Sequence, residues 1–366
     1  MPNLKNEYTP DWVSPPGETL LETIEALGMS QTDLANRMGR PQKTINEIIK
    51  GKAAITPETA LQLEKVLNVP ARFWLNREQQ YRESLARQAE HEALETQLGW
   101  LDEIPVNELV QRKMVTWNED RVQLLCNVLA FFGVASPREW REVWFNPNVA
   151  FRKTLAYTSE PGAVACWLRE GELQAQSIEC RPFDADRFRT VLYRIRALTV
   201  EPPETFESAM HSLCAEAGVA LALVKQYKQS KVSGATRWLT PDKALLQLSL
   251  RYKTNDHFWF SFFHEAGHIL LHGKREVFLE DGNGGESSQR KEKEAHQFAR
   301  DFLIDKNAYR SFVEETRPYF SKEKIRQFAA TQGITPGIVV GRLQHDTHLQ
   351  HTHCNDLKQK LDWVSA

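Results

Sequence analysis

Phe258-Trp259-Phe260-Ser261-Phe262-Phe263-His264-Glu265-Ala266-Gly267-His268-Ile269-Leu270-Leu271-His272 is the stretch on which the reading of this chain turns. It holds no proline and is mostly Phe, Trp, Leu and Ile, so a helix from about Asp256 to His272 is built for burial. Against that background His257, Ser261, His264, His268 and His272 form a polar stripe. His264 and His268 stand at i and i+4, on one face about one turn apart, and can share a metal ion. Glu265, one residue round, can reach a water beside that metal. In H-E-x-x-H chemistry the two histidines ligate zinc and the glutamate takes a proton from the attacking water. The alternative is a chance spacing, but buried imidazoles and a carboxylate left unsatisfied cost roughly 1–3 kcal/mol each.

A catalytic zinc needs a third protein ligand and an open position. Downstream, the predicted helix Lys291 to Leu303 presents Ala295, Phe298, Ala299 and Phe302 as its packed face. Glu294 lies beside that face, with Glu292 and Lys293 further towards solvent, so Glu294 is the predicted ligand. Its alternative is a surface carboxylate paired with Lys291 or Arg290. A second histidine-rich tract, His345, His348, His351 and His353 followed by Cys354, has irregular spacing and no apolar periodicity, and reads as a polar loop.

The elements around this site predict an α+β domain. Gly218 to Val224 is an apolar β-branched run, and Ala235 to Thr240 and Ala244 to Leu250 flank Pro241-Asp242-Lys243 as a hairpin. A glycine-rich loop, Asp281 to Gly285, follows the apolar helix, and further helices are predicted at Lys322 to Thr331 and Pro336 to Gln344. Upstream, a long amphipathic helix is predicted around Phe188 to Leu198, and short helices from about Ile104 to Trp144.

The N-terminal end reads differently, as short helices in quick succession. Leu20, Leu21, Ile24 and Leu27 follow helical spacing to Gly28, and Ser30-Gln31-Thr32-Asp33 is a capping-box-like start for a helix through Leu34, Ala35 and Met38. Pro41 opens the next, with Ile45, Ile48 and Ile49 inward and Gly51 at its end. Thr56-Pro57 starts a fourth. From Glu78 to Leu98 a segment of mixed charge without glycine or proline predicts a solvated connector helix.

The chain has 366 residues, 46 Lys+Arg and 48 Asp+Glu, for a net charge of -2. At roughly 100–200 residues per domain this predicts two or three domains. No run approaches a membrane span, and the polar N-terminus does not read as a secretory signal, which makes the cytoplasm the expected location. Five scattered cysteines without a C-x-x-C pair predict reduced thiols rather than a disulfide framework. The neutral balance argues against a nucleic-acid partner, yet between Arg37 and Lys52 there are five basic residues and one acid, a local +4 on a segment of 78 residues with nine basic and ten acidic side chains.

Phe262-Phe263-His264-Glu265-Ala266-Gly267-His268 with Glu294-Ala295-His296-Gln297-Phe298-Ala299 resembles the ImmA/IrrE family of zinc metallopeptidases, over about Gly218 to Leu303. The resemblance implies Zn2+ on His264, His268 and Glu294, with Glu265 as catalytic base. His296 stands where the family usually has Asn or Asp. Residues from about 15 to 80 are similar to XRE/Cro-type helix-turn-helix domains, most closely those of HigA-type antitoxins, through Gly28-Met29-Ser30-Gln31, Leu34-Ala35, Thr44-Ile45-Asn46-Glu47-Ile48-Ile49 and Ile55-Thr56-Pro57-Glu58. In such folds the second helix of the motif enters the major groove. That implies Gln42, Lys43 and Asn46 at base edges, and Arg37, Arg40, Lys50 and Lys52 at phosphates of a double-stranded operator, read by a homodimer.

The predicted organisation is therefore mainly α with a small β-sheet: residues 1–78 an all-α helix-turn-helix domain, 79–200 a helical connector and middle region, and 201–366 a zincin-like α+β metallopeptidase domain. The predicted function is a cytoplasmic DNA-binding transcriptional regulator whose zinc endopeptidase cleaves a repressor-type protein or itself, with no membrane partner. The alternative is an antitoxin-like repressor of a toxin-antitoxin or phage-defence module, in which the protease-like domain binds a partner toxin without catalysis. A purely structural zinc is the weaker reading, since two histidines and one carboxylate leave a position open.

Overall fold

The computed structural model describes residues 14–145, 160–249, 251, 253–273, 278–279 and 286–362. By internal packing the chain divides into two units, Met1–Gln97 and Leu98–Ala366. The glycine-rich loop predicted at Asp281 to Gly285 lies outside the described residues.

The first unit holds α1 (Pro16–Ala26), α2 (Gln31–Met38), α3 (Gln42–Ile49), α4 (Pro57–Leu67) and α5 (Ala71–Glu95). Local chemistry sets each boundary. Ser30 Oγ accepts from the Asp33 N–H at 3.1 Å while Asp33 returns a carboxylate to the Ser30 N–H at 3.2 Å, so the capping box is closed from both sides. Thr56 caps α4 through the Thr59 N–H at 3.3 Å. Leu20, Ile24, Leu34, Ile45, Ile48, Leu63 and Trp74 make one core. Gly17 lets α1 lie directly on the end of α3: a Cβ there would fall 2.2 Å from the Ile48 carbonyl oxygen.

The predicted connector is not a separate helix. It is the distal part of α5, whose first turns carry the fully buried Trp74 into the core. Glu78, expected in solvent, is buried and accepts from the Ile55 N–H at 3.0 Å, tying α5 to the loop before α4.

The second unit begins with a 3₁₀ turn at Leu98–Glu103, followed by α6 (Val106–Gln111), α7 (Arg121–Phe132), α8 (Pro137–Phe145), α9 (Pro161–Ser177), α10 (Ala185–Ala197) and α11 (Pro203–Glu216). A four-stranded sheet of order β1-β3-β2-β4 follows, from β1 (Val219–Leu223), β2 (Gly234–Thr240), β3 (Lys243–Leu248) and β4 (Phe278–Leu279). β2 and β3 form the expected antiparallel hairpin, and β1 joins β3 in parallel. The remaining helices are α12 (Asn255–Leu271), α13 (Glu286–Leu303), α14 (Lys306–Thr316), α15 (Lys322–Gln332) and α16 (Pro336–His345). α12 lies in the middle of the core, with Phe258, Trp259, Phe262, Phe263 and Ile269 buried against the sheet and neighbouring helices.

The middle region is built into this unit. Arg112 donates to the Lys225 and Gln226 carbonyls at 2.7 Å each, and Trp167 Nε1 donates to the Val224 carbonyl at 2.9 Å. Buried Gln247 on β3 donates to the Trp167 carbonyl at 2.6 Å. The bonds to Val224, Lys225 and Gln226 satisfy the chain just after β1, which sequence periodicity cannot reveal. Among the described residues no helix is long and apolar enough to cross a membrane, and no disulfide joins the five cysteines.

Candidate metal centre and nucleic-acid interface

α12 places His264 and His268 on one face, as their spacing requires, and buries them with Glu265 to within 2% of full enclosure. The two Nε2 atoms are 3.0 Å apart. α13 crosses this face and supplies a carboxylate: Glu292 Oε2 lies 3.2 Å from His264 Nε2, and Oε1 lies 3.5 Å from His268 Nε2. Among the described residues these three form the group able to hold a metal ion, with donor atoms all within 4.8 Å of one another.

Glu294, the carboxylate expected at this point, is elsewhere. It is half-exposed and meets His272 Nε2 at 3.2 Å and Arg290 at 3.6 Å. The reason is helical register. Ala295 and Ala299 are fully buried, and Glu292 stands three and seven residues before them, on their face, whereas Glu294 is turned some 200° from Glu292. The i, i+3, i+7 relation of Glu292 to the two alanines is the sequence signal for this face, and the partly buried Phe298 and Phe302 turn the apparent packed face away from it.

The electrostatics agree with this placement. Burial opposes ionisation of Glu292, but hydrogen bonds with His264 and His268 outweigh it and hold the carboxyl at about 2. Burial pushes His268 down, with partial compensation from Glu292, so its neutral form, the metal-ligating one, is favoured. His296, one turn beyond Glu292, is pushed down by burial and by His264; its ring packs edge-on to His264 at 4.5 Å, and its Nδ1 donates to the Glu292 carbonyl at 2.7 Å. Gly234, first residue of β2, gives Glu265 its room: a Cβ there would fall 2.7 Å from the Glu265 Cγ and Oε1.

Among the described residues the histidine tract joins no group of three metal donors. His345 ends α16 and bonds Asp346 and Arg300, while His348 stacks on Phe320 and accepts from Arg317 at 2.8 Å.

In the first unit, α2 and α3 form the helix-turn-helix, with Gly39 in the left-handed conformation at the end of α2. Gln42 and Lys43 are exposed on the first turn of α3 and Asn46 is half-buried one turn on; Arg37, Lys50 and Lys52 are exposed nearby. Lys43 pairs loosely with Glu47 at 3.8 Å. Arg40 is held differently from the others, bonding Gln62 and lying 3.4 Å from Glu58, both on α4.

Two family models match the chain: helix-turn-helix over residues 20–74, and the IrrE N-terminal-like domain, a peptidase family, over residues 224–344. Across 61 residues it is 34% identical to the uncharacterized HTH-type transcriptional regulator YddM of Escherichia coli (strain K12), covering 17% of this chain and 65% of that protein. Across 59 residues it is 37% identical to virulence-associated protein A of Dichelobacter nodosus, covering 16% and 58%. The chain thus spans less than two thirds of the length of either relative. An addiction module antidote protein of a HigA family from Coxiella burnetii has a solved structure that is 32% identical over 23% of this chain and 92% of that one, with a TM-score of 0.22. The chain belongs to the helix-turn-helix proteins through residues 20–74, and its residues 224–344 match the IrrE N-terminal-like domain.

Proposed function

We propose that this chain is a DNA-binding transcriptional regulator whose second unit is a zinc-dependent endopeptidase, with His264, His268 and Glu292 as metal ligands and Glu265 as base. The observation that carries the reading is the convergence of two buried imidazoles and one carboxylate, their donor atoms within 4.8 Å of one another. Two nitrogens and one carboxylate oxygen are a donor set that catalytic zinc takes, with a position left over. When bound, zinc supplies Lewis acidity to a water and to the scissile carbonyl.

The chain's own residues do the rest. Glu265, held against the Gly234 backbone between the two ligating histidines, accepts the proton of the attacking water and returns it to the leaving amine. His272 and Glu294 set the tautomer of His268. Glu294 accepts from His272 Nε2–H at 3.2 Å, so His272 Nδ1 accepts from His268 Nδ1–H at 2.9 Å, and the lone pair of His268 Nε2 is left facing Glu292 and His264. These proton positions are assigned from the hydrogen-bond pattern. On this reading Glu294 acts on the site as a positioning residue rather than a ligand.

The helix-turn-helix brings the peptidase to an operator, bound as a homodimer in the cytoplasm, and the substrate is a repressor-type protein or the chain itself. The test is a pair of variants in the full chain. Glu265→Gln is expected to keep stoichiometric zinc and lose cleavage of a co-expressed partner repressor, and His264→Ala to lose both. Purified protein without zinc would sink the enzyme reading. Regulation that survives Glu265→Gln but not His264→Ala would instead establish a partner-binding, antitoxin-like role without catalysis.

A further inference from the structure

Next to the metal-ligand cluster, between α12, α13 and α16, lies a cavity of about 210 Å³. It is smaller than the roughly 300–1,000 Å³ of sites for drug-sized molecules, and suits a single side chain. Phe260 separates it from the cluster: the ring lines the cavity and also stacks on His264 at 6.2 Å and 21°. Ser233, which precedes the Gly234 that holds Glu265, also lines it. The cavity is therefore one residue removed from His264, through Phe260, and from Glu265, through the Ser233–Gly234 backbone. A side chain adjoining a bond placed at the cluster would reach it.

Phe260, Leu303, Ile304 and Ile338 supply its apolar wall beside polar residues that include His257 and Arg342, and two of the polar lining residues each carry a buried atom with no hydrogen-bond partner. One is an acceptor, Asp256 Oδ1 on the first turn of α12, in a residue only 6% exposed. The other is a donor, Arg300 Nε, two turns along α13 from Glu292. The other ends of both groups are tied down. Asp256 Oδ2 lies 2.6 Å from Lys358 Nζ, and Arg300 Nη2 donates to His345 Nε2 at 2.8 Å, with the opposite nitrogen of His345 3.0 Å from Asp346. Neither orphan can swing away to solve its own deficit.

An orphaned buried donor or acceptor is costly, and a site that presents both discriminates strongly for a ligand supplying both counterparts. A carboxylate would satisfy Arg300 but meet Asp256 oxygen to oxygen. An ammonium would do the reverse, and an aliphatic side chain would leave both unsatisfied. A carboxamide carries an acceptor and a donor on separate atoms, which matches orphans on two different helices, and the apolar walls call for methylenes before it. We propose that this cavity is a side-chain subsite of the cleft and takes the glutamine side chain of a bound polypeptide substrate. The proposal rests on the endopeptidase reading only for its claim that the polypeptide is a substrate.

The test is binding, so that it does not depend on turnover. Full-length protein, with and without added zinc, is titrated with N-acetyl-glutamine N-methylamide and with the leucine, glutamate and tyrosine counterparts, followed by saturation-transfer NMR. The glutamine probe is expected to bind at least about tenfold more tightly than the others, the ratio of one well-made buried hydrogen bond. Its methylenes should show intermolecular NOEs to the Phe260 ring, a readout that requires no variant. Arg300→Met should erase the advantage over leucine. Equal binding of the four probes, or tighter binding of the leucine, glutamate or tyrosine probe, overturns the proposal. Tighter binding of free zwitterionic glutamine than of the capped probe overturns it too, making the cavity an effector site. A glutamine preference in protein that takes up no zinc would sink the peptidase reading and leave the subsite standing.

Discussion

Glu292 Oε2 lies 3.2 Å from His264 Nε2, while Glu294, two residues along the same helix, has its carboxylate on His272. One helix thus offers two carboxylates to the same histidine row at different depths, and their removal separates the roles. Glu292→Gln should abolish stoichiometric zinc. Glu294→Gln should keep it but weaken affinity by about 10–100-fold, the range for loss of an outer partner. Chelator competition on the two variants measures this, and equal losses would contradict the division of labour.

Gly17 is a packing requirement of the helix-turn-helix. The Cβ of an alanine would sit 2.2 Å from the Ile48 oxygen and 2.4 Å from that of Ile49, so α1 would have to back away from α3. Gly17→Ala should destabilise the first unit by about 1–3 kcal/mol or more despite the better helix propensity of alanine. Unfolding of the full chain followed by circular dichroism reads this; unchanged stability would show that α1 can shift without cost.

On the DNA side, Lys43→Ala with Asn46→Ala is expected to remove operator binding while leaving fold and zinc intact, at about 1–3 kcal/mol per lost base contact. Lys50→Ala or Lys52→Ala should weaken binding to all sequences alike and reduce the salt dependence by about one counterion. Arg40→Ala should act more through stability, because its guanidinium is engaged with Gln62 and Glu58. Gel-shift titrations at several salt concentrations distinguish the three, and unaltered binding by the double variant would move the recognition surface off α3.

Glu172 braces α9 against the sheet through Arg237 of β2, 2.8 Å away, with Arg169 of its own helix 2.9 Å from it. Burial opposes its ionisation, but the Arg237 charge and the bonds from both arginines outweigh burial and hold its carboxyl below the usual 4.5. A carboxyl depressed on folding stabilises above its unfolded value, and that contribution is lost as pH falls through the folded one. Glu172→Gln should therefore cost about 1 kcal/mol near neutral pH, with the difference from the parent shrinking below pH 4.5. Urea titrations at pH 7 and pH 4 test it; a difference that grows on acidification would reverse the sign.

What the sequence by itself determined is what depends on local spacing. His264, Glu265 and His268 share a helix, so 3.6 residues per turn places their side chains without any knowledge of the fold, and the Ser30 capping box and the β2–β3 hairpin are equally local. Tertiary structure decided whatever depends on how one element meets another. Which of Glu292 and Glu294 faces α12 rests on a rotation of α13 of little over half a turn, and an amphipathic pattern with both alanines and phenylalanines inward does not resolve it. Only the buried Ala295 and Ala299, small enough to let the two helices approach, settle that rotation and bring Glu292 to the histidines. The same holds for Glu78, buried by a partner in a distant loop, and for the middle region, whose Arg112 and Trp167 bond backbone more than fifty residues away.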